Sequence, residues 1–231
     1  MNKLRLKNEK EVKINFGKYC LVGFSCDNKN SINNLFNLAL SKIRYRKAIL
    51  EYNFNLSEVR DNGKYKKISK KIKENDIYFL ELIDKIKKDF KDFCSLDAGT
   101  LFELFVYYML MEFFDENGID ARVVRNLNVS YKGEAFTEID LFVDVFNKKF
   151  IFECKNRYIS SNAILKLYGI MKMLDINFGI LASTKEFYGN IKKEDIFEEY
   201  NIYIIDNLLI KEKNKIFKEL KEIFEINQFQ K

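Results

Sequence analysis

The chain has 231 residues, 47% hydrophobic and 15% aromatic, which supplies ample material for a core and excludes a disordered chain. It has no histidine, so Ser–His–Asp and Cys–His nucleophile systems, an imidazole base and Cys/His zinc sites are all excluded. The net charge of +6 is uneven: residues 1–75 hold 18 Lys or Arg against 7 Asp or Glu, and residues 76–231 hold 22 against 27.

Chemistry near neutral pH therefore falls to carboxylates, lysine, tyrosine, thiols or a bound metal. A basic front joined to an acidic back suits a polyanion-binding face beside a carboxylate site; a solvated lysine-rich surface explains the charge equally well. Cys20, Cys26, Cys94 and Cys154 form no CxxC pair. The first 13 residues are charged, and no apolar run is long enough to span a bilayer. A reduced, soluble, cytoplasmic protein with no membrane partner is expected.

In chain order, residues 1–92 read as a basic, mainly helical region suited to nucleic-acid binding or dimerisation. It holds a strand-like run Tyr19–Phe24, a loop Ser25–Asn30 and a helix from Ser31 carrying Leu35, Leu38, Ala39, Ile43 and Ile49. Asp61-Asn62-Gly63 marks a turn, and a second helical pattern runs over Asp76–Phe93. Residues 93–231 read as a second domain. Asp97 caps a helix Ala98–Asn117 that Gly118 stops. Strands Arg122–Tyr131, Phe136–Phe146 and Lys149–Lys155 follow, then a helix Ala163–Leu174 and a strand Phe178–Ala182. A helix Lys185–Glu199, a strand Ile202–Ile205 and a helix Leu208–Ile226 complete the chain. The α-β-β-β-α-β-α-β-α order implies a mixed sheet flanked by helices.

The chemistry concentrates in Thr137-Glu138-Ile139-Asp140-Leu141-Phe142-Val143-Asp144 and Phe150-Ile151-Phe152-Glu153-Cys154-Lys155. Strand alternation sends Glu153 and Lys155 to one face, and Phe152 and Cys154 to the other. A tight turn centred on Asn147-Lys148 would set Asp140 opposite Lys155, with Glu153 one diagonal step away. Two carboxylates that converge among apolar strands repel, and a divalent cation relieves them. Hard oxygen donors favour Mg²⁺ or Mn²⁺, and the Cys154 backbone carbonyl can add a ligand. Lys155 is placed to orient or deprotonate water, or to stabilise developing charge. Glu103 is the only acidic residue between Ala98 and Met111, on an otherwise apolar helix, and it needs a partner that such a site supplies.

Asp140 followed by Glu153-Cys154-Lys155 on the next strand resembles the PD-(D/E)xK nuclease motif, and Glu103 matches the glutamate of the helix before the sheet. Gly99–Tyr108, Glu138-Ile139-Asp140 and Phe152-Glu153-Cys154-Lys155 are similar to the nuclease domains of CRISPR ancillary nucleases activated by cyclic oligoadenylates. The resemblance covers residues 95–185. It implies a restriction-endonuclease-like αβββαβ core, Mg²⁺ or Mn²⁺ dependence and phosphodiester hydrolysis. It further implies Asp140 and Glu153 as metal ligands, Lys155 as the catalytic lysine, Glu103 as an auxiliary ligand, and a homodimer. Ile139 stands where the motif's name has proline. The region before residue 93 is too short for those relatives' nucleotide-sensing domain and lacks a glycine-rich turn, so cyclic-nucleotide control is not implied.

Glu138 and Asp144 share Asp140's expected face, as further ligands or as surface charge. Lys166 and Tyr168, on the helix after the motif, are candidates for contact with the DNA backbone. Arg44, Arg46 and Lys47, with Tyr45 between them, are candidates for phosphate contact and base stacking, or a solvated face. The cluster Lys64, Lys66, Lys67, Lys70, Lys71 and Lys73 is a weaker candidate. Phe217, Leu220, Ile223 and Phe224 suit core or a dimer face. The expected function is a metal-dependent DNA endonuclease in defence, restriction or recombination. A junction resolvase or RNase on the same scaffold, and a catalytically silent nucleic-acid-binding module, are the alternatives.

Overall fold

The computed structural model describes residues 9–26, 31–50, 76–89, 96–188 and 191–229. Seven strands form one sheet in chain order: β1 (Glu9–Phe16), β2 (Tyr19–Cys26), β3 (Ala121–Tyr131), β4 (Glu134–Val145), β5 (Lys148–Lys155), β6 (Phe178–Ser183) and β7 (Ile202–Ile205). β1 to β5 run as an antiparallel meander, and β5, β6 and β7 are parallel. The helices among the described residues are α1 (Ser31–Ser41), α2 (Ile43–Leu50), α3 (Ile77–Asp89), α4 (Ala98–Glu116), α5 (Ser161–Leu174), α6 (Lys193–Tyr200) and α7 (Lys213–Phe229). The mixed α/β architecture matches the expected helix-flanked sheet.

Two cores lie on the two faces of the sheet. One joins α1 to α4 and α7 to Leu141, Val143, Phe150, Phe152 and Cys154; the other joins α5 and Ile196 of α6 to Val124, Phe142, Ile151 and Leu181. Parallel strands are covered on both sides, so β5 and β6 carry nearly unbroken apolar runs.

Local chemistry sets the turns. Phe146 and Asn147 both have positive φ, 52° and 60°, as a type I′ hairpin turn requires. The Asp97 carboxylate accepts from Thr100 N at 2.9 Å and caps α4, which ends beside Gly118 at φ 63°. α5 rides close on β6: a Cβ on Gly179 would meet Met171 Sδ at 2.6 Å and Leu167 Cδ2 at 3.0 Å.

The front of the chain departs from the expectation. Among the described residues of 1–92, β1 and β2 extend the sheet through β3 and α1 to α3 share the core of α4, so these elements are not set apart from those that follow. β1 was not expected; its heavy charge hides the alternating Val12, Ile14 and Phe16 that face the second core. The helix from Ser31 breaks at Lys42 into α1 and α2, and the helix expected from Lys185 starts only at Lys193. The turn at Asp61-Asn62-Gly63 and the cluster Lys64–Lys73 lie outside the described residues. Phe217, Leu220, Ile223 and Phe224 face the sheet, with Phe224 edge-on to Phe150 at 5.0 Å, so they are core.

Candidate functional site

The β4–β5 hairpin turns one residue earlier than expected, at Phe146-Asn147, and the register moves by two positions. A shift of two preserves the faces. The ladder ends at Leu141 opposite Phe152, and one further step sets Asp140 against Glu153 rather than against Lys155. Asp140 is also skipped on its other side. β3 pairs Arg125 with Leu141 and Leu127 with Ile139, and the intervening Asn126 adopts φ 53°. Val124 and Leu127, three residues apart, enter the same core, as do Ile139 and Phe142. Both strands therefore break their alternation at Asn126 and Asp140. Asparagine tolerates this left-handed conformation better than other non-glycine residues.

At the break the Asp140 carboxylate turns to the β5 backbone and accepts from the Cys154 N–H at 2.6 Å. Glu153 is buried, 2% exposed. Its carboxylate accepts from the Lys155 ammonium and, through both oxygens, from Lys166 Nζ at 2.9 and 3.0 Å. Lys155 and Lys166 keep 24% and 48% of their side-chain exposure, so the cluster opens to solvent on the lysine side.

Desolvation, then the neighbouring Glu153 carboxylate, push the Asp140 carboxyl up to about 7, against the Cys154 N–H and the two ammoniums. Burial alone would lower Lys166, but its bonds to Glu153 outweigh that and raise it above the ordinary lysine value. Burial pushes the Cys154 thiol well up, with the fields of Asp140, Glu103 and Glu153 adding to it. A thiol so placed is core and not a nucleophile.

Asp140, Glu153, Lys155 and Lys166 are thus brought together. Glu103 lies on α4, which packs on the face of the sheet that Cys154 enters, near enough for its charge to act on that thiol. Asn156 ties the end of β5 to the start of this helix by donating to the Ala98 carbonyl at 3.1 Å. Among the described residues no group of three or more His, Cys, Asp or Glu is gathered tightly enough to hold a metal. Two facing carboxylates, one resisting ionisation, still fit a hard divalent cation that keeps several of its waters.

Glu138 is exposed, and its charge acts on Lys166. Asp144 lies between Arg122 and Lys149 across the sheet, so it is matched surface charge. Arg46 is corrected. Its guanidinium is fully buried, donating to the carbonyls of Ala39, Leu40, Leu208 and Lys211 at 2.5–3.0 Å, and cannot reach a phosphate. Nor is Tyr45 open to a base: it is buried and stacked on Phe79 at 4.1 Å. Arg44 pairs with Asp76 at 2.7 Å, and Lys47 is half-buried on the same helix. Tyr168 packs edge-on against Tyr200 at 5.1 Å. The bond from Lys166 to Glu153 went unforeseen, since it needs the relative placement of α5 and β5.

The chain has a mixed α/β fold with a helix-flanked seven-stranded sheet and a carboxylate–lysine cluster at a break in its ladder. It belongs to the family of the Methanocaldococcus jannaschii protein described as "Uncharacterized protein MJ1664", to which it is 76% identical over 226 residues, 98% of this chain and all of that one. No protein-family model matches. Two solved structures share the fold. Protein VC1899 from Vibrio cholerae aligns over 90% of this chain with a TM-score of 0.55 and 15% identity. Can2 from Sulfobacillus thermosulfidooxidans, solved in complex with cyclic tetra-adenylate, aligns over 87% with a TM-score of 0.53 and 17% identity. The chain spans 59% and 55% of those two proteins. Among the described residues no helix is long and apolar enough to cross a membrane.

Proposed function

We propose that this protein is a metal-dependent nuclease of the PD-(D/E)xK kind, hydrolysing phosphodiester bonds in nucleic acid, with DNA as the first substrate and defence as the setting. The observation that carries this reading is the meeting of Asp140 and Glu153 across two neighbouring strands with Lys155 beside them. The fold shared with Can2 supports the class.

Asp140 and Glu153 would hold Mg²⁺ or Mn²⁺. The Cys154 carbonyl leaves β5 on the same edge as its N–H, toward Asp140, and adds a third oxygen. Glu103 serves as an auxiliary ligand through water. A divalent cation there supplies Lewis acidity and a bound water of lowered pKa.

The chain's own groups do the remainder. Asp140, held near neutrality without a cation, gives up its proton when positive charge arrives. Lys155 orients the attacking water and offsets charge on the phosphate oxygens. Lys166, half exposed and bonded only through its ammonium, can leave Glu153 for a backbone phosphate.

The test is a digestion panel of supercoiled DNA, linear duplex, single strands and RNA with Mg²⁺, Mn²⁺ or EDTA. Wild-type protein should cut with metal only, and Lys155→Ala should lose roughly 100-fold or more. Inert wild type on every substrate with both metals would overturn the reading and leave a binding module. Cutting of RNA alone or of four-way junctions alone would move it to the ribonuclease or resolvase alternative.

A further inference from the structure

Two tyrosines that the site does not use stand at its rim. Tyr158 and Tyr188 are 58% and 67% exposed, and their rings meet at 5.9 Å between centroids, inclined by 53°. Isolated exposed aromatics are ordinary on a protein surface. A touching pair beside a charged cluster is a different arrangement.

Their origin fixes where they stand. Lys155 ends β5 and lies beside Ser183, which ends β6, and the Thr184 N–H donates to the Lys155 carbonyl at 3.2 Å. Tyr158 follows Lys155 by three residues and Tyr188 follows Ser183 by five, so both rings rise from the same end of two adjacent parallel strands. Three residues of chain span at most about 11 Å, which keeps Tyr158 within a nucleotide or two of Lys155.

Each ring has a chain neighbour packed on the second core. Ile159 is 6% exposed in the second core, and the Phe187 N–H donates to Asp206 at 2.7 Å while its ring packs on that core. The Tyr188 hydroxyl donates to Glu186 at 2.8 Å. Exposed Arg157 and the half-exposed ammonium of Lys166 add positive charge, against the carboxylate of Glu186 and that of Asp206, which is itself paired with Lys193 at 2.7 Å.

We propose that Tyr158 and Tyr188 form a stacking platform for unpaired bases of a single strand whose backbone enters the Asp140–Glu153–Lys155 site. Aromatic faces beside cationic groups are what single-strand binders present, because every base has a π-face and every linkage a charge. The 53° inclination leaves no slot between the rings, so each offers its outer face to one base and successive bases are splayed. Paired bases in a duplex cannot present those faces. The inference rests on the nuclease reading for the direction of the strand, but stacking itself needs no catalysis.

The protein has no tryptophan, so Tyr158→Trp or Tyr188→Trp creates a single indole reporter. The probe is labelled oligo(dT), read by anisotropy with Ca²⁺ in place of Mg²⁺ and again in EDTA. Saturable quenching of both indoles is expected. Tyr158→Ala and Tyr188→Ala should each weaken single-strand affinity roughly 5- to 100-fold, the range for losing one stacked base. Tyr→Phe at either position should restore wild-type affinity, and a blunt duplex should lose less than about twofold in the same variants. Failure of wild type to bind oligo(dT) in both buffers, an indole unquenched by bound strand, or alanine variants that bind like wild type would each overturn the platform. Quenching without metal-dependent cleavage upholds the platform and sinks the nuclease reading; cleavage of duplex with unquenched indoles does the reverse.

Discussion

Replacing Asp140 by asparagine should stabilise the metal-free protein at alkaline pH while removing its activity. The Asp140 carboxyl is raised from 3.8 to about 7 by desolvation and by Glu153. Each pH unit is worth about 1.4 kcal/mol, so keeping this group ionised costs the fold about 4 kcal/mol as an upper bound. The sign follows from the protons. The folded state binds this proton more tightly than the unfolded chain, so the group's contribution to stability falls as pH rises from about 4 to about 7 and is constant above. Asparagine keeps an oxygen to accept from the Cys154 N–H and turns an N–H₂ toward Glu153. Asp140 keeps partial exposure, and solvent screening reduces the gain to about half of that bound, on the order of 2 kcal/mol. For a chain of this length that is a rise in Tm of roughly 4–8 °C. The assay is thermal melting of both proteins in EDTA at pH 4.5, 6, 7 and 8, then at pH 8 with Mn²⁺. The gap in favour of Asp140→Asn should open with pH, and Mn²⁺ should raise the wild-type Tm more than that of the variant. Equal or lower Tm for the variant at pH 8, or a gap that ignores pH, would refute the electrostatic account of the site.

Arg46→Ala should destabilise the protein by about 3 kcal/mol or more in denaturant titrations, because it orphans the carbonyls of Ala39, Leu40, Leu208 and Lys211 at once. Loss of nucleic-acid binding without loss of stability would instead make Arg46 a contact residue. Lys166→Gln removes one of the two ammoniums on Glu153, so calorimetry in Mn²⁺ should show tighter metal binding together with slower cleavage; unchanged affinity would make Lys166 a bystander. Gly179→Ala should cost on the order of 1–3 kcal/mol, since the added Cβ meets Met171 and Leu167 and pushes α5 off β6. An unchanged melting temperature would show that the helix yields freely.

The order of the elements and the faces of their side chains were legible in the residues alone. Apolar periods, the Asp97 cap and the hairpin signals placed α4, β3 to β5, α5, β6 and β7 close to their observed bounds. Alternation alone put Glu153 with Lys155, and Phe152 with Cys154, because the side-chain period of a strand is two whatever its partner. The register, the break at Asn126 and Asp140, the bond from Lys166 to Glu153 and the burial of Arg46 came from long-range packing instead. Each of these depends on where a distant element comes to rest. The charge of β1 hid a strand because its pairing with β2 and the burial of Glu9 against Arg125 at 2.5 Å supply what its own residues do not advertise. Local chemistry chooses which way a side chain faces, and the packing of elements far apart in sequence chooses what it meets there.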